Sequence, residues 1–235
     1  MLSTADRVVM VSGAARGLGR AIANQLHSDG FSLSLGARDL SALEAMIDGW
    51  SSCSVHYFDA TNPASQQQWV TETVAEHGRI DGLVNNAGII APFDLESFQE
   101  DGLDVMWEVN VKTPARLAHL TLPHLCRSDN GRVINMASMS GVRVNGGFEP
   151  GYAMTKHAVV ALTHHIRQQF WADGVRATAV CPSFVDTEMI AHLDCGDEEI
   201  ISPDDLATLI STMLQLPNSA SVAELVVNCR VEPSY

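Results

Sequence analysis

The chain reads as an α/β protein: a single domain, residues 1–235, on a doubly wound parallel sheet of about seven strands with helices on both faces. Two observations predict this. Short apolar runs of strand type alternate with amphipathic stretches almost from end to end, the pattern of repeated β–α–β units around a buried parallel sheet. The first of these runs also passes directly into a glycine-rich turn, Gly13-Ala14-Ala15-Arg16-Gly17-Leu18-Gly19, and a helical pattern follows at once. With 235 residues, 46% of them hydrophobic, the chain can bury the core that such a domain needs.

In order, the runs expected as strands are Val8–Ser12, Ser32–Leu35, Ser54–Phe58, Leu83–Asn85, Val133–Met136, Ala177–Val180 and Val222–Val227. Between most of them lie helical patterns, at Arg20–Ser28, Leu40–Ile47, Ala64–Glu76 and Met154–Trp171. Crossovers between parallel strands are expected to be right-handed. Two longer amphipathic segments, Asp101–Arg127 and Gly151–Trp171, carry more apolar residues than one sheet face needs. On the second, Ala158, Val159, Leu162, Ile166 and Phe170 recur three or four residues apart. No Pro- or Ser-rich linker divides the chain, and no internal repeat is visible. One long irregular stretch, residues 187–202, is rich in Asp and Glu and contains Gly196. It reads either as a substrate lid or as a solvated surface helix with a loose turn.

Charge and composition narrow the function classes. There are 28 acidic and 14 basic side chains, a net charge of −14, and the basic ones are scattered. Neutralising nucleic-acid phosphates needs clustered cations, so a nucleic-acid partner is not expected. The cysteines at 53, 126, 181, 195 and 229 form no CxxC pair and are odd in number, as expected of free thiols in a reducing, cytoplasmic compartment. The histidines lack metal-ligand spacing; the adjacent His164 and His165 diverge by about 100° on a helix and make a poor chelate, so no metal is expected. No apolar run approaches the ~20 residues of a membrane span, and the first seven residues do not resemble an export signal.

The chemistry starts at the glycine turn. Glycines there permit a tight bend and close approach of a phosphate to the backbone, and the following helix N-terminus adds unpaired N–H groups and a positive dipole end. Tyr152 and Lys156 stand four residues apart and share one helix face, so the ammonium is expected to favour phenolate and lower the tyrosine pKa. A phenol titrating near neutrality is a general acid and base for carbonyl and alcohol chemistry. Ser138 lies fourteen residues before Tyr152, at the end of a predicted strand, the edge where doubly wound sheets bind ligands.

Taken together, these segments resemble the short-chain dehydrogenase/reductase family. Ser12-Gly13-Ala14-Ala15-Arg16-Gly17-Leu18-Gly19 is similar to that family's TGxxxGxG, with Ser12 in place of Thr. Asn85-Asn86-Ala87-Gly88 matches its NNAG, Asn110 its asparagine, Tyr152 and Lys156 its YxxxK. Pro182-Ser183-Phe184-Val185-Asp186-Thr187 matches PGxxxT, with Ser183 where Gly is usual. The matches run in order from about Arg7 to Val227.

The resemblance implies a Rossmann-type fold and an NAD(P)-dependent oxidoreductase acting on a small carbonyl or alcohol. It implies a catalytic set of Asn110, Ser138, Tyr152 and Lys156. It implies cofactor contacts from Gly13, Ala15, Arg16, Gly17, Leu18, Gly19, Asp59, Asn86, Ala87, Gly88, Tyr152, Lys156, Pro182, Val185 and Thr187. Ser138 would bond the substrate oxygen, Tyr152 would exchange the proton, and Asn110 would hold a water linking Lys156 to solvent. Ser140 is a nearby alternative to Ser138, which precedes Gly141 by three residues as the family's serine does.

The second strand carries the cofactor preference. An acid at its end selects the ribose hydroxyls of NAD, whereas Arg suits the 2′-phosphate of NADP. The position holds Ala37, followed by Arg38, with Arg16 a second phosphate partner; NADP(H) is therefore expected rather than NAD(H). Asp39 is the ribose acid if the register is off by two, or else a cap for the helix near Leu40. Asp59 is an adenine contact or a turn residue. Arg143 and Glu149, in the loop with Gly146 and Gly147, read as substrate contacts or outward-facing charges, and Met154, Phe184, Met189 and His192 as pocket wall or plain core and surface. Helix pairing in the resembled family implies a homodimer or homotetramer, the tetramer favoured. Two other functions stand beside the main reading: a non-catalytic nucleotide-binding sensor or scaffold, and an NAD-dependent alcohol or hydroxy-acid dehydrogenase.

Overall fold

A computed structural model describes residues 1–144, 149–191 and 200–231. Its seven strands, β1 (Val8–Ser12), β2 (Ser32–Ala37), β3 (Cys53–Tyr57), β4 (Gly82–Asn85), β5 (Arg132–Met136), β6 (Arg176–Pro182) and β7 (Glu224–Val227), are all parallel, in the order β3-β2-β1-β4-β5-β6-β7. The seven expected strands are thus present, with ends shifted by a few residues. The helices are α1 (Gly17–Ser28), α2 (Leu40–Met46), α3 (Pro63–His77), α4 (Glu100–Trp107), α5 (Thr113–Leu125), α6 (Pro150–Gln169) and α7 (Pro203–Gln215). Among the described residues, no helix is long and apolar enough to cross a membrane.

Side-chain alternation along the strands divides the core in two. Val9, Val11, Leu33 and Leu35 face one way, against Ile22 and Leu26 of α1, Leu43 of α2 and Ile210 of α7. Met10, Leu83 and Val133 face the other way, against Trp69 of α3, Leu117 of α5 and Ile166 of α6. A sheet covered on both faces explains why its strands read as continuous apolar runs.

Local chemistry sets the helix starts. Proline occupies the first turn of α3, α5, α6 and α7, where its missing N–H costs nothing. Asn62 and Ser202 cap α3 and α7 with side-chain oxygens. The 101–127 stretch, which reads as one amphipathic segment, is broken in the structure. A π-helical turn, Glu108–Lys112, separates α4 from α5. One extra residue per turn rotates the helix face, and such bulges concentrate at functional sites.

Candidate active site

Six of the sequence-predicted site segments lie at the carboxyl edge of the sheet. The glycine turn follows β1, Arg38 follows β2, Asp59 follows β3, Asn86–Gly88 follow β4, Ser138 follows β5, and Pro182 ends β6. This is the edge that a doubly wound sheet offers to ligands.

The glycine turn is locked from three sides. Gly13 has φ +68° and Gly17 φ +51°, left-handed conformations that a side chain would strain. At Gly19 the reason is space: a Cβ there would stand 2.1 Å from the Gly13 carbonyl oxygen. The Gly36 carbonyl at the end of β2 accepts from Gly13 N at 2.8 Å, and Asn86 donates its side-chain amide to the Ser12 carbonyl at 3.0 Å. Ser12 adds a connection that reading the motif alone passes over: its hydroxyl accepts from the backbone N–H groups of Asn86 and Ala87 at 3.0 and 3.1 Å. It therefore fastens the first loop to the fourth. Arg16 precedes α1 in an extended conformation, and its side chain does not cap the helix. The first N–H groups of α1 thus keep their capacity for an anion, and the residues present fit a dinucleotide phosphate cradle.

Around the second and third strands, the alternatives for Asp39 and Asp59 separate. Asp39 accepts from Ala42 N at 3.1 Å and Ser41 Oγ at 2.7 Å, so it caps α2, and these bonds hold its carboxyl below its ordinary pKa. Asp59 accepts from the backbone N–H and hydroxyl of Thr61, both at 2.8 Å. Its carboxyl is likewise held low, first by the Thr61 N–H and, among smaller causes, by the charge of Arg38. Arg38 itself is exposed just beyond Ala37.

The catalytic candidates converge between β5 and α6. Pro150 opens α6, so Tyr152 stands in its first turn, one turn before Lys156, and both are buried at 8% and 5% exposure. Lys156 Nζ donates to the Met136 carbonyl at 2.6 Å and lies 5.4 Å from the centre of the Tyr152 ring. Burial pushes the Tyr152 phenol up to about 12, and a hydrogen bond from Ser138 opposes that rise. Burial also brings Lys156 down to about 8. The expectation that Lys156 depresses Tyr152 is therefore overturned in direction. Burial disfavours the charged form of both groups and is the largest cause of both shifts; at Tyr152 the cause that opposes it is the Ser138 hydrogen bond. Ser140 donates its backbone N–H to the Ser138 hydroxyl at 3.2 Å, which orients Ser138.

Asn110 sits in the π turn and is buried. Its amide oxygen accepts from Ile89 N and its amide nitrogen donates to the Ile89 carbonyl, each at 2.9 Å, with a further bond to Thr155 Oγ1 at 3.1 Å. It clamps the loop after β4 to the second turn of α6. A Cβ on Gly88 would lie 3.4 Å from Asn110 Oδ1 and 3.5 Å from Lys156 Nζ, so both groups border the same space. Glu149 accepts from Phe93 N at 3.2 Å and so ties the same loop to the start of α6. Phe93, Met106 and Tyr152 pack together as one apolar wall. Met154, read as pocket wall or as plain core or surface, is 47% exposed; two residues on from Tyr152, it points to the other side of α6.

After β6, Val185 pairs with Ile201, and Asp186 N donates to the Ile201 carbonyl at 2.9 Å. This joins the described ends of the candidate lid; its residues 192–199, including His192, and the loop glycines Gly146 and Gly147 lie outside the described residues. Thr187 rests on the glycine turn, its methyl 3.6 Å from where a Cβ on Gly17 would be. The adjacent Glu188 pairs with Arg16, a contact between residues 172 positions apart that no local pattern could reveal.

The family model described as short chain dehydrogenase matches residues 7–197. The chain belongs to this family. It is 42% identical to an agropine synthesis reductase of Rhizobium rhizogenes over 229 residues, which are 96% of this chain and 53% of that one. The chain therefore spans about half the length of that relative. It is also 32% identical to an oxidoreductase of Staphylococcus saprophyticus across 97% of both chains. Among solved structures, the alcohol dehydrogenase of Thermococcus sibiricus complexed with 5-hydroxy-NADP superposes with a TM-score of 0.87 at 29% identity, covering 97% of this chain and 99% of that one. Levodione reductase gives 0.86 at 28%, covering 95% and 96%. This member of the short-chain dehydrogenase family is thus built on a seven-stranded Rossmann-type sheet.

Proposed function

We propose that the chain is one NADP(H)-dependent domain that interconverts a small ketone or aldehyde with its alcohol. The observation that carries this reading is the group at the carboxyl edge of β5 in which the half-buried Ser138 bonds the buried Tyr152 hydroxyl beside the buried Lys156. A nicotinamide cofactor, when bound, would supply or accept the hydride, chemistry that no side chain performs. Ser138 donates to the substrate oxygen and stabilises charge developing there. Tyr152, kept protonated through the neutral range by its raised pKa, gives its proton to that oxygen in reduction; in the reverse direction it must start as the phenolate to accept the proton of the alcohol. Lys156 holds positive charge beside the phenol below its own pKa of about 8. Asn110 fixes the wall opposite Lys156, and the second lone pair of its Oδ1 suits a water that returns protons.

Asn86, Ala87 and Gly88 after β4, Pro182 at the end of β6, and Val185 and Thr187 after it would border the cofactor. Ala37 followed by Arg38, and the commitment of Asp39 to the α2 cap, support NADP(H) over NAD(H). The names of the two solved neighbours, an alcohol dehydrogenase and a reductase, support the substrate class. The free thiols at Cys53, Cys126, Cys181 and Cys229 support a cytoplasmic setting. Val105 and Trp107 on α4, both 37% exposed, with Met154 on α6, support self-association through these helices as a homotetramer or homodimer.

The test is NADPH oxidation against a panel of activated ketones, with Tyr152→Phe as the comparison. Wild type is expected to turn over at least one ketone, and the variant to lose about two to four orders of magnitude in kcat while still binding NADPH. Near wild-type turnover by the variant would sink the assignment of the proton donor.

A further inference from the structure

We infer that Glu188 is a specificity residue that competes with the cofactor's 2′-phosphate for Arg16, and so weakens NADPH binding selectively. The inference rests on the NADP(H) reading above. Its starting point is the ion pair between the Arg16 guanidinium, on the glycine turn, and the Glu188 carboxylate, on the segment after β6. Glu188 is held over the turn by the fold. The Val185–Ile201 bridge anchors the segment, and Thr187 packs its methyl against Gly17. The Ile190 N–H then closes a turn on the Thr187 carbonyl at 3.1 Å. Both side chains of the pair are more than 70% exposed, at 74% and 71%, so the pair can open without disturbing the core.

The charges on this rim explain why the competition is selective. Arg16 and Arg38 are the two cations read as phosphate partners, and each already feels a carboxylate: Arg16 through contact with Glu188, Arg38 through the field of Asp59. A 2′-phosphate adds close to two negative charges and three acceptor oxygens. To engage it, Arg16 must share or leave Glu188, and the Glu188 carboxylate then faces an anion. NADH lacks the phosphate and meets neither cost. An exposed ion pair is a small interaction, screened by salt, so the effect is a tuning of affinity and not a block.

The experiment measures Kd for NADPH and NADH by fluorescence titration, with no substrate present, for wild type, Glu188→Gln, Arg16→Ala, Arg38→Ala and the double variant Arg16→Ala/Glu188→Gln. Glutamine keeps the size and removes the charge. Glu188→Gln is expected to tighten NADPH about threefold to tenfold at low salt, less at ~0.5 M salt, with NADH changed less than about twofold. In the Arg16→Ala background the gain is expected to shrink, which locates the coupling between the two residues. Equal tightening of NADPH and NADH, or no tightening of NADPH, overturns the role of Glu188. If Arg16→Ala and Arg38→Ala also leave NADPH unaffected, the NADP(H) reading itself fails and this inference falls with it. If those two weaken NADPH while Glu188→Gln does nothing, only Glu188 is misassigned.

Discussion

Replacing Lys156 by methionine is expected to make the protein more stable at pH 7 while removing its activity. The ammonium is buried at 5% exposure, and burial brings its pKa from 10.5 to about 8. That difference is a penalty on the charged form of about 3 kcal/mol. Methionine has a similar length and no charge, but it leaves the Met136 carbonyl without the donor now 2.6 Å away. Orphaning that acceptor costs about 1–2 kcal/mol. The net gain at pH 7 is about 1–2 kcal/mol, or about 3–6 °C in Tm for a chain of this size.

The pH dependence separates this account from ordinary repacking. Below pH 8 native and unfolded wild type both carry the proton, and the penalty is fully present. Between about 8 and 10.5 the unfolded chain binds a proton that the native chain has lost, so wild-type stability rises with pH relative to the variant. The advantage of the variant should therefore fade through this window and reverse near its top, where neutral Lys156 still donates to Met136. Thermal unfolding followed by circular dichroism at pH 7, 9 and 10.5 reads this directly. A variant less stable at pH 7, or a difference that does not change with pH, would refute the reasoning.

Arg38→Ala is expected to weaken NADPH by about 1.5–3 kcal/mol, the worth of a charged hydrogen bond, and barely alter NADH. A wild type that prefers NADH, or equal losses for both cofactors, would count against the Ala37/Arg38 reading. Light scattering at micromolar concentration is expected to show four chains per particle. A mass near the 25.3 kDa of one chain would exclude assembly, and a two-chain mass would exclude only the tetramer.

Several features were determined by the sequence alone because their physics is local. A parallel sheet buried on both faces needs unbroken apolar runs, and these located all seven strands to within a few residues. Left-handed turns need glycine, which marked Gly13 and Gly17. Helical spacing placed Tyr152 beside Lys156.

The tertiary structure decided whatever depends on distant partners or on dielectric surroundings. Asp39 is a cap because the end of β2 sets where α2 begins, a matter of register that the local pattern left open. Ser12 and Glu188 acquire their partners only when β4 lies beside β1 and the segment after β6 crosses the glycine turn. The π turn at Asn110 brings its amide to Ile89 and Thr155, and helical periodicity does not register it. The sign of the Tyr152 shift was likewise beyond a one-dimensional reading. The spacing to Lys156 states only an attraction, whereas the depth of burial, set by the whole fold, is the largest cause of the shift.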